Sequence, residues 1–148
     1  MKKLLIIGGG GFIGSHLAKK ASNDFEVYSL SKNPLPEDRK IPSVNYLYCD
    51  LDNKDQLSYL LDIDFSYVVN LGGYINHSKF SLSGFEVINT HFMGLINILS
   101  TLDISSIETF INIGTSDQYW GNDSPMKEDF TGTPFSCYSF SKKIAGEF

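Results

Sequence analysis

An α/β fold, a doubly wound parallel sheet with helices on both faces, is what this 148-residue sequence predicts, and three observations predict it. Short apolar runs alternate with stretches of helical periodicity from one end of the chain to the other. The first run, Lys3 to Ile7, is apolar at nearly every position, as a strand covered on both faces must be. A glycine-rich exit, Gly8 to Gly11, then leads straight into a helical pattern. Without an internal repeat, alternating strands and helices give parallel neighbours, and right-handed crossovers wind them onto both faces.

Taken in order, Lys3 to Ile7 is the first strand, and Phe12, Ile13, Leu17 and Ala18 mark the helix that follows. The run from Leu4 to Ile7 is too short for the apolar segment of a signal peptide. Glu26 to Leu30 is a second strand, and Ser31 to Ser43, with Pro34, Pro36 and Pro42, is a loop. Val44 to Tyr48 is a third strand, Asp55 to Leu61 a short helix, and Phe65 to Leu71 a fourth strand stopped by Gly72 and Gly73. Val87, Ile88, Phe92, Leu95, Ile96 and Leu99 form one face of a long helix over Phe85 to Leu102. Thr109 to Ile113 is a fifth strand, and Gly114 to Ser136 is a loop of a length usually kept for function. From Tyr138 the pattern is helical to the end of the chain, giving one domain over residues 1–148.

Composition narrows the partners. The net charge of -5 argues against a nucleic-acid surface, which needs clustered positive charge. No apolar run approaches the ~20 residues of a membrane span. Cys49 and Cys137 have no metal-ligand spacing, so no metal site is expected; two free thiols in a reducing cytoplasm are the simpler expectation.

Gly8, Gly11 and Gly14 stand three apart between a strand and a helix. A sharp turn, a backbone close to a pyrophosphate and a helix packed tightly on a strand all favour residues without a Cβ. The helix start then offers free N–H groups to phosphates. This is the dinucleotide-binding turn of a Rossmann fold.

The stretch Ile7-Gly8-Gly9-Gly10-Gly11-Phe12-Ile13-Gly14 resembles the extended short-chain dehydrogenase/reductase family, the nucleotide-sugar epimerases and dehydratases, although Ile7 stands where that family often has Thr. The resemblance assigns Gly8, Gly11, Phe12, Ile13 and Gly14 to the cofactor. At the end of the second strand, Ser29-Leu30-Ser31-Lys32 lacks the carboxylate that would hold ribose hydroxyls and repel a 2′-phosphate. Ser31 and Lys32 could hold that phosphate, so NADP is favoured over NAD; the alternative is that Lys32 is a solvated loop lysine. Asp50 and Leu51 resemble the family's pair beside the adenine, with a turn cap as the other role for Asp50. Leu71, Gly72 and Gly73 fall where the family's fourth strand meets the cofactor. In the long helix the family has Asn three residues before a Gly; here His91 holds that place and the Asn is Asn89, so either could face the cofactor.

Tyr138 and Lys142 are four apart and share one face of a helix. An ammonium beside a phenol favours the phenolate, and such a Tyr can take a proton from an alcohol as hydride leaves carbon. The resemblance gives both to catalysis and to the cofactor, with Ser116, in Gly114-Thr115-Ser116-Asp117-Gln118-Tyr119-Trp120-Gly121, as the substrate's hydrogen-bond partner. Trp120 replaces a usual Tyr, while Pro125, Glu128 and Pro134 match the family's spacing. Asp117 is either a catalytic acid or a turn residue, and Gln118 cannot serve as the base of a 4,6-dehydratase.

The resemblance thus implies an enzyme acting on a nucleotide-sugar, an epimerase or 4-ketoreductase with hydride transfer at C4. A 4,6-dehydratase and a non-catalytic dinucleotide-binding module are the alternatives. Family members continue well past this helix, so the expectation is a domain truncated within it. The C-terminal substrate domain would be absent, turnover small, and an apolar flank exposed. Pairing through the Phe85 to Leu102 helix would give a homodimer.

Overall fold

The computed structural model describes residues 1–75, 82 and 84–148. Five parallel strands lie in the order β3-β2-β1-β4-β5, with β1 at Lys3–Ile7, β2 at Glu26–Ser31, β3 at Val44–Tyr48, β4 at Tyr67–Asn70 and β5 at Thr109–Asn112. The predicted doubly wound sheet is therefore present. Strand order reverses at β1, which pairs with β2 on one side and β4 on the other. A crevice opens beyond the strand ends at such a point, and ligands of open α/β sheets bind there.

Alternation along β1 explains why it is apolar throughout. Leu5 and Ile7 join Leu30, Leu57, Phe65, Val68 and Ile98 on one face. Leu4 and Ile6 join Ala18, Ala21, Val27 and Val44 on the other. Helix α1 (Phe12–Ala21) covers the second face, and Lys19 and Lys20 sit in its last turn, where cations suit the helix dipole. Helix α2 (Lys54–Leu60) starts at Asn53, whose side chain accepts the Gln56 amide at 3.1 Å.

The long helix is not uniform. It is α-helical over Phe85–Ile88 (α3), π-helical over Asn89–Met93 and α-helical again over Gly94–Leu99 (α4). Residues 100–102, expected to be helical, form its closing turn. Helix α5 (Cys137–Glu147) begins with a capping box: the Ser136 hydroxyl accepts the Ser139 amide, and the Ser139 hydroxyl accepts the Ser136 amide. It packs against α3 and the π-helical segment.

Element boundaries differ from the sequence reading at several points: α2 and α5 each begin one residue earlier, at Lys54 and Cys137, α2 ends one residue sooner, at Leu60, and β4 and β5 each end one residue sooner, at Asn70 and Asn112. Strand β4 starts at Tyr67 rather than Phe65, because Phe65 fills the core below the sheet. Strand β2 runs one residue further, to Ser31, which pairs in register with Tyr48. The loop from Gly114 to Ser136 contains a 3₁₀ turn at Ser116–Tyr119, and Asn122 ties it together by donating to the carbonyls of Tyr119 and Thr131. Ile111 and Ile113, on and just after the edge strand β5, are 46% and 38% exposed.

Phe65 is 1% exposed and meets the Tyr28 ring edge-on at 5.3 Å. Truncating it to Ala should lower unfolding stability by about 3–5 kcal/mol, read as a lower urea midpoint. A loss under about 1 kcal/mol would show that the core is not packed around this ring.

Candidate functional site

Two cavities meet at the carboxyl ends of β1 and β4. One, of about 230 Å³, runs over β2 and β3. The other, of about 370 Å³, runs from the glycine turn to α5. Gly8, Gly72, Gly73 and Tyr74 line both, so together they make one trough across the sheet's reversal point.

The glycine turn forms the trough's floor. Gly8 has φ of +77°, a left-handed conformation, and a Cβ there would stand 2.8 Å from the Leu71 carbonyl oxygen. A Cβ on Gly14 would overlap the backbone of Gly8 and Gly9, so α1 can start this close only with glycine. The amides of Gly8 and Gly9 donate to the Leu30 carbonyl, that of Gly10 to Ser31 Oγ and that of Gly11 to the Gly8 carbonyl. Phe12, Ile13 and Gly14 follow in the first helical turn, where amides precede any helical acceptor, and all three line the second cavity. Phe12 is 82% exposed, an apolar ring left on the rim of a trough.

Over β2 and β3, Ser31, Lys32, Asp50 and Leu51 line the first cavity. Lys32 is not a lone solvated lysine: its Nζ lies 2.6 Å from Asp50 Oδ2. Each partner favours the other's charged form, so the Asp50 carboxyl is held below its ordinary range and the Lys32 ammonium above its own. Arg39 was not singled out from the sequence. Its guanidinium donates to the Gly10 carbonyl at 3.2 Å and adds a second cation at this end. Cys49, also lining this cavity, and Cys137 are both free, and burial pushes the Cys49 thiol up.

At the other end, Tyr138 and Lys142 line the second cavity with Gly11, Leu71 and His91. Lys142 is buried, its Nζ donating to the Ile113 carbonyl at 3.1 Å, and desolvation pulls its ammonium down from the ordinary lysine value. Of the two residues the sequence left open, His91 faces this cavity, whereas Asn89 donates to Asp52 Oδ2 at 2.7 Å. Ser116 stands exposed at the start of the 3₁₀ turn, and neither it nor Asp117 is part of either lining. Thr115 Oγ1 accepts the Asp117 amide at 3.3 Å, which makes Thr115 the cap of that turn.

Sequence reasoning missed a polar strut behind the trough. Asn70 Oδ1 accepts the Gly72 amide at 3.0 Å, and Asn70 Nδ2 donates to Asn112 Oδ1 at 2.9 Å. Asn112 Nδ2 in turn donates to the Ala145 carbonyl on α5 at 3.2 Å. The only signal available was two asparagines closing apolar strands. Among the described residues no group of His, Cys, Asp and Glu could hold a metal ion, and no helix is long and apolar enough to cross a membrane.

Burial and the neighbouring Lys142 charge lower the His91 pKa from 6.5 to about 4. The unfolded chain therefore binds a proton between these values that the folded chain refuses. His91 adds stability above pH 6.5, lost as pH falls through about 4 and amounting to about 3 kcal/mol. Urea unfolding at both ends of that window should show this extra acid loss in the native chain and not in His91→Phe. Equal losses in the two proteins would contradict it.

Known proteins resemble the chain over nearly its full length. The model of the NAD dependent epimerase/dehydratase family matches residues 4–147. Protein CapI of Staphylococcus aureus is 33% identical over 95% of this chain and 46% of its own length. A putative UDP-glucose 4-epimerase of Methanocaldococcus jannaschii is 26% identical over 98% of the chain and 49% of its own. The chain thus spans about half the length of these relatives. A crystal structure of UDP-glucose 4-epimerase superposes with a TM-score of 0.87 at 21% identity, covering 99% of this chain and 46% of that one. UDP-glucuronic acid 4-epimerase from Bacillus cereus, solved with UDP-glucuronic acid and NAD, gives 0.82 at 24%, covering 98% and 50%. These two likenesses show the fold.

Proposed function

The chain belongs to the NAD dependent epimerase/dehydratase family, and from that premise we propose that it is the dinucleotide-holding part of an enzyme that moves hydride at C4 of a nucleotide-sugar, as an epimerase or 4-ketoreductase. One observation carries the reading: the glycine turn and the Tyr138–Lys142 pair line a single cavity. The trough fits an extended dinucleotide. Its floor is main chain that side chains would fill, its middle holds the first-turn amides of α1, and its two ends differ in chemistry.

A bound nicotinamide dinucleotide would take hydride from C4 and return it. Tyr138 takes the C4 hydroxyl proton and gives it back to the ketone. Lys142, held by the Ile113 carbonyl and lining the same cavity, would supply positive charge to that phenol. Ser116, outside the trough and two residues past its Gly114 wall, is assigned to the sugar oxygen rather than to the dinucleotide. Asp117 shares its turn, and with Gln118 beside it the 4,6-dehydratase reading is the weaker one. A purely binding module would have no use for Tyr138 and Lys142 together.

The dinucleotide is NADP in preference to NAD. Strand β2 ends without a carboxylate, Ser31 Oγ is already placed by the Gly10 amide, and Lys32 and Arg39 flank it. The Lys32–Asp50 pair is 70% and 41% exposed on its two side chains, so exchanging it for a phosphate contact costs little. Exposed Phe85 and Met93 on the helical face support a homodimer through that helix.

Titration of dinucleotide fluorescence should give NADPH at least about tenfold tighter binding than NADH, with Lys32→Glu removing the difference. Tighter NADH binding by the native chain would end the NADP assignment. In the sugar reaction Tyr138→Phe should lower turnover by about 10²- to 10⁴-fold while dinucleotide binding survives. Unchanged turnover would remove Tyr138 from the chemistry.

A further inference from the structure

We propose that His91 is a positioning residue whose ring locks the end of β4 to helix α5, and so sets Tyr138 against the nicotinamide half of the trough. The inference rests on the dinucleotide reading above and adds a residue that touches Tyr138 rather than the sugar.

His91 is 4% exposed and lies in the π-helical segment. There the helix widens by one residue per turn, and the Gly94 amide reaches back to the Asn89 carbonyl. Both ring nitrogens are engaged. The Tyr74 amide donates to Nε2 at 3.2 Å, so Nε2 carries no proton. Ser141 Oγ, 2.8 Å from Nδ1, spends its own proton on the Tyr138 carbonyl at 2.8 Å, so Nδ1 must donate to it. One neutral tautomer satisfies every partner, and a second proton would break the bond to Tyr74.

Packing repeats the same connection. The His91 ring meets the Tyr138 ring edge to face, 5.4 Å between centroids at 74°, and leans on Tyr74 at 6.1 Å. On the β4 side a Cβ at Gly73 would overlap His91 Cδ2 and Nε2, and Gly73 has φ of +120°. The ring therefore occupies the space of the missing side chain. It touches the trough wall with one edge and α5 with the other. His91 cannot shift without moving Tyr138 or the Gly72–Tyr74 backbone, and both line the nicotinamide end.

The test compares the native chain with His91→Phe, which keeps ring volume and loses both hydrogen bonds, and with Ser141→Ala, which loses only the link to α5. Nitrogen NMR of ¹⁵N-histidine-labelled protein should show His91 as the Nδ1–H tautomer with an accepting Nε2, the signal being identified by its loss in His91→Phe. Ser141→Ala should move its Nδ1 resonance. Both variants should bind ADP-ribose, which lacks the nicotinamide, within about threefold of the native chain. Both should lose at least half of the fluorescence gained by the reduced nicotinamide on binding. An Nε2–H tautomer, or nicotinamide fluorescence unchanged in both variants, overturns the proposal. If His91→Phe fails to fold, the His91 signal is identified instead by the movement of its Nδ1 resonance in Ser141→Ala, and the tautomer and that variant's fluorescence still decide. A native chain that binds neither ADP-ribose nor reduced dinucleotide refutes the dinucleotide reading instead, and the tautomer then decides whether His91 ties β4 to α5.

Discussion

The structure depends on how closely α1 begins against the end of β1. The start of a helix carries unpaired amides, and they serve a diphosphate only if the backbone beneath it is bare and near. That approach requires Gly14 to lie on Gly8 and Gly9, and Gly8 to lie on the Leu71 carbonyl. The turn is thereby referenced to β4 as well as β1. Strand pairing then carries the reference outward, since β4 pairs with β5 in register and Asn70 stands opposite Asn112. Everything placed at the far end of the trough is measured from this contact through hydrogen-bonded ladders, which are among the least compliant parts of a protein.

Helix α5 is attached to that frame by polar contacts. Lys142 meets the carbonyl of Ile113, Ala145 receives Asn112, and Ser141 meets His91. Apolar packing alone would tolerate a small slide of the helix along its neighbours. Hydrogen bonds with a short optimum do not. Two of the contacts fall about one turn from Tyr138 and the third, at Ala145, nearly two turns along, so together they fix the height and the rotation of the helix that carries the phenol.

How much of this was legible in the sequence depended on whether the signal was local. The apolar β1, the glycine spacing and the pair Tyr138–Lys142 are short-range patterns, and the predicted sheet follows from them. The π-helical segment was not legible, because one widened turn in an otherwise regular apolar stripe is decided by what packs on it, here α5 and the loop after β4. For the same reason Asn89 and His91 could not be ranked: a uniform α-helix from 85 to 102 puts them on different faces, but gives no way to choose which face meets the trough. The Lys32–Asp50 pair crosses from the end of β2 to the end of β3 and becomes visible only once Ser31 is registered on Tyr48. Arg39 sits in a proline-rich loop whose path over Gly10 has no sequence periodicity at all.

Lys142 shows what this precision costs. A buried ammonium facing a carbonyl, with its pKa pulled down by desolvation, is a poor way to stabilise a helix, and an apolar residue of similar length would serve the core better. Its place is in the cavity that Tyr138 also lines, where the proposed chemistry has a use for positive charge. His91 answers the problem that this charge creates. A second ionisable ring so close to Lys142 would add repulsion if it were protonated, and the tautomer demanded by Tyr74 and Ser141 keeps it neutral across the range where proteins work. The Lys142 cation therefore lies near a ring that stays uncharged, in the same cavity as Tyr138. The neutral ring beside it supplies rigidity without competing charge.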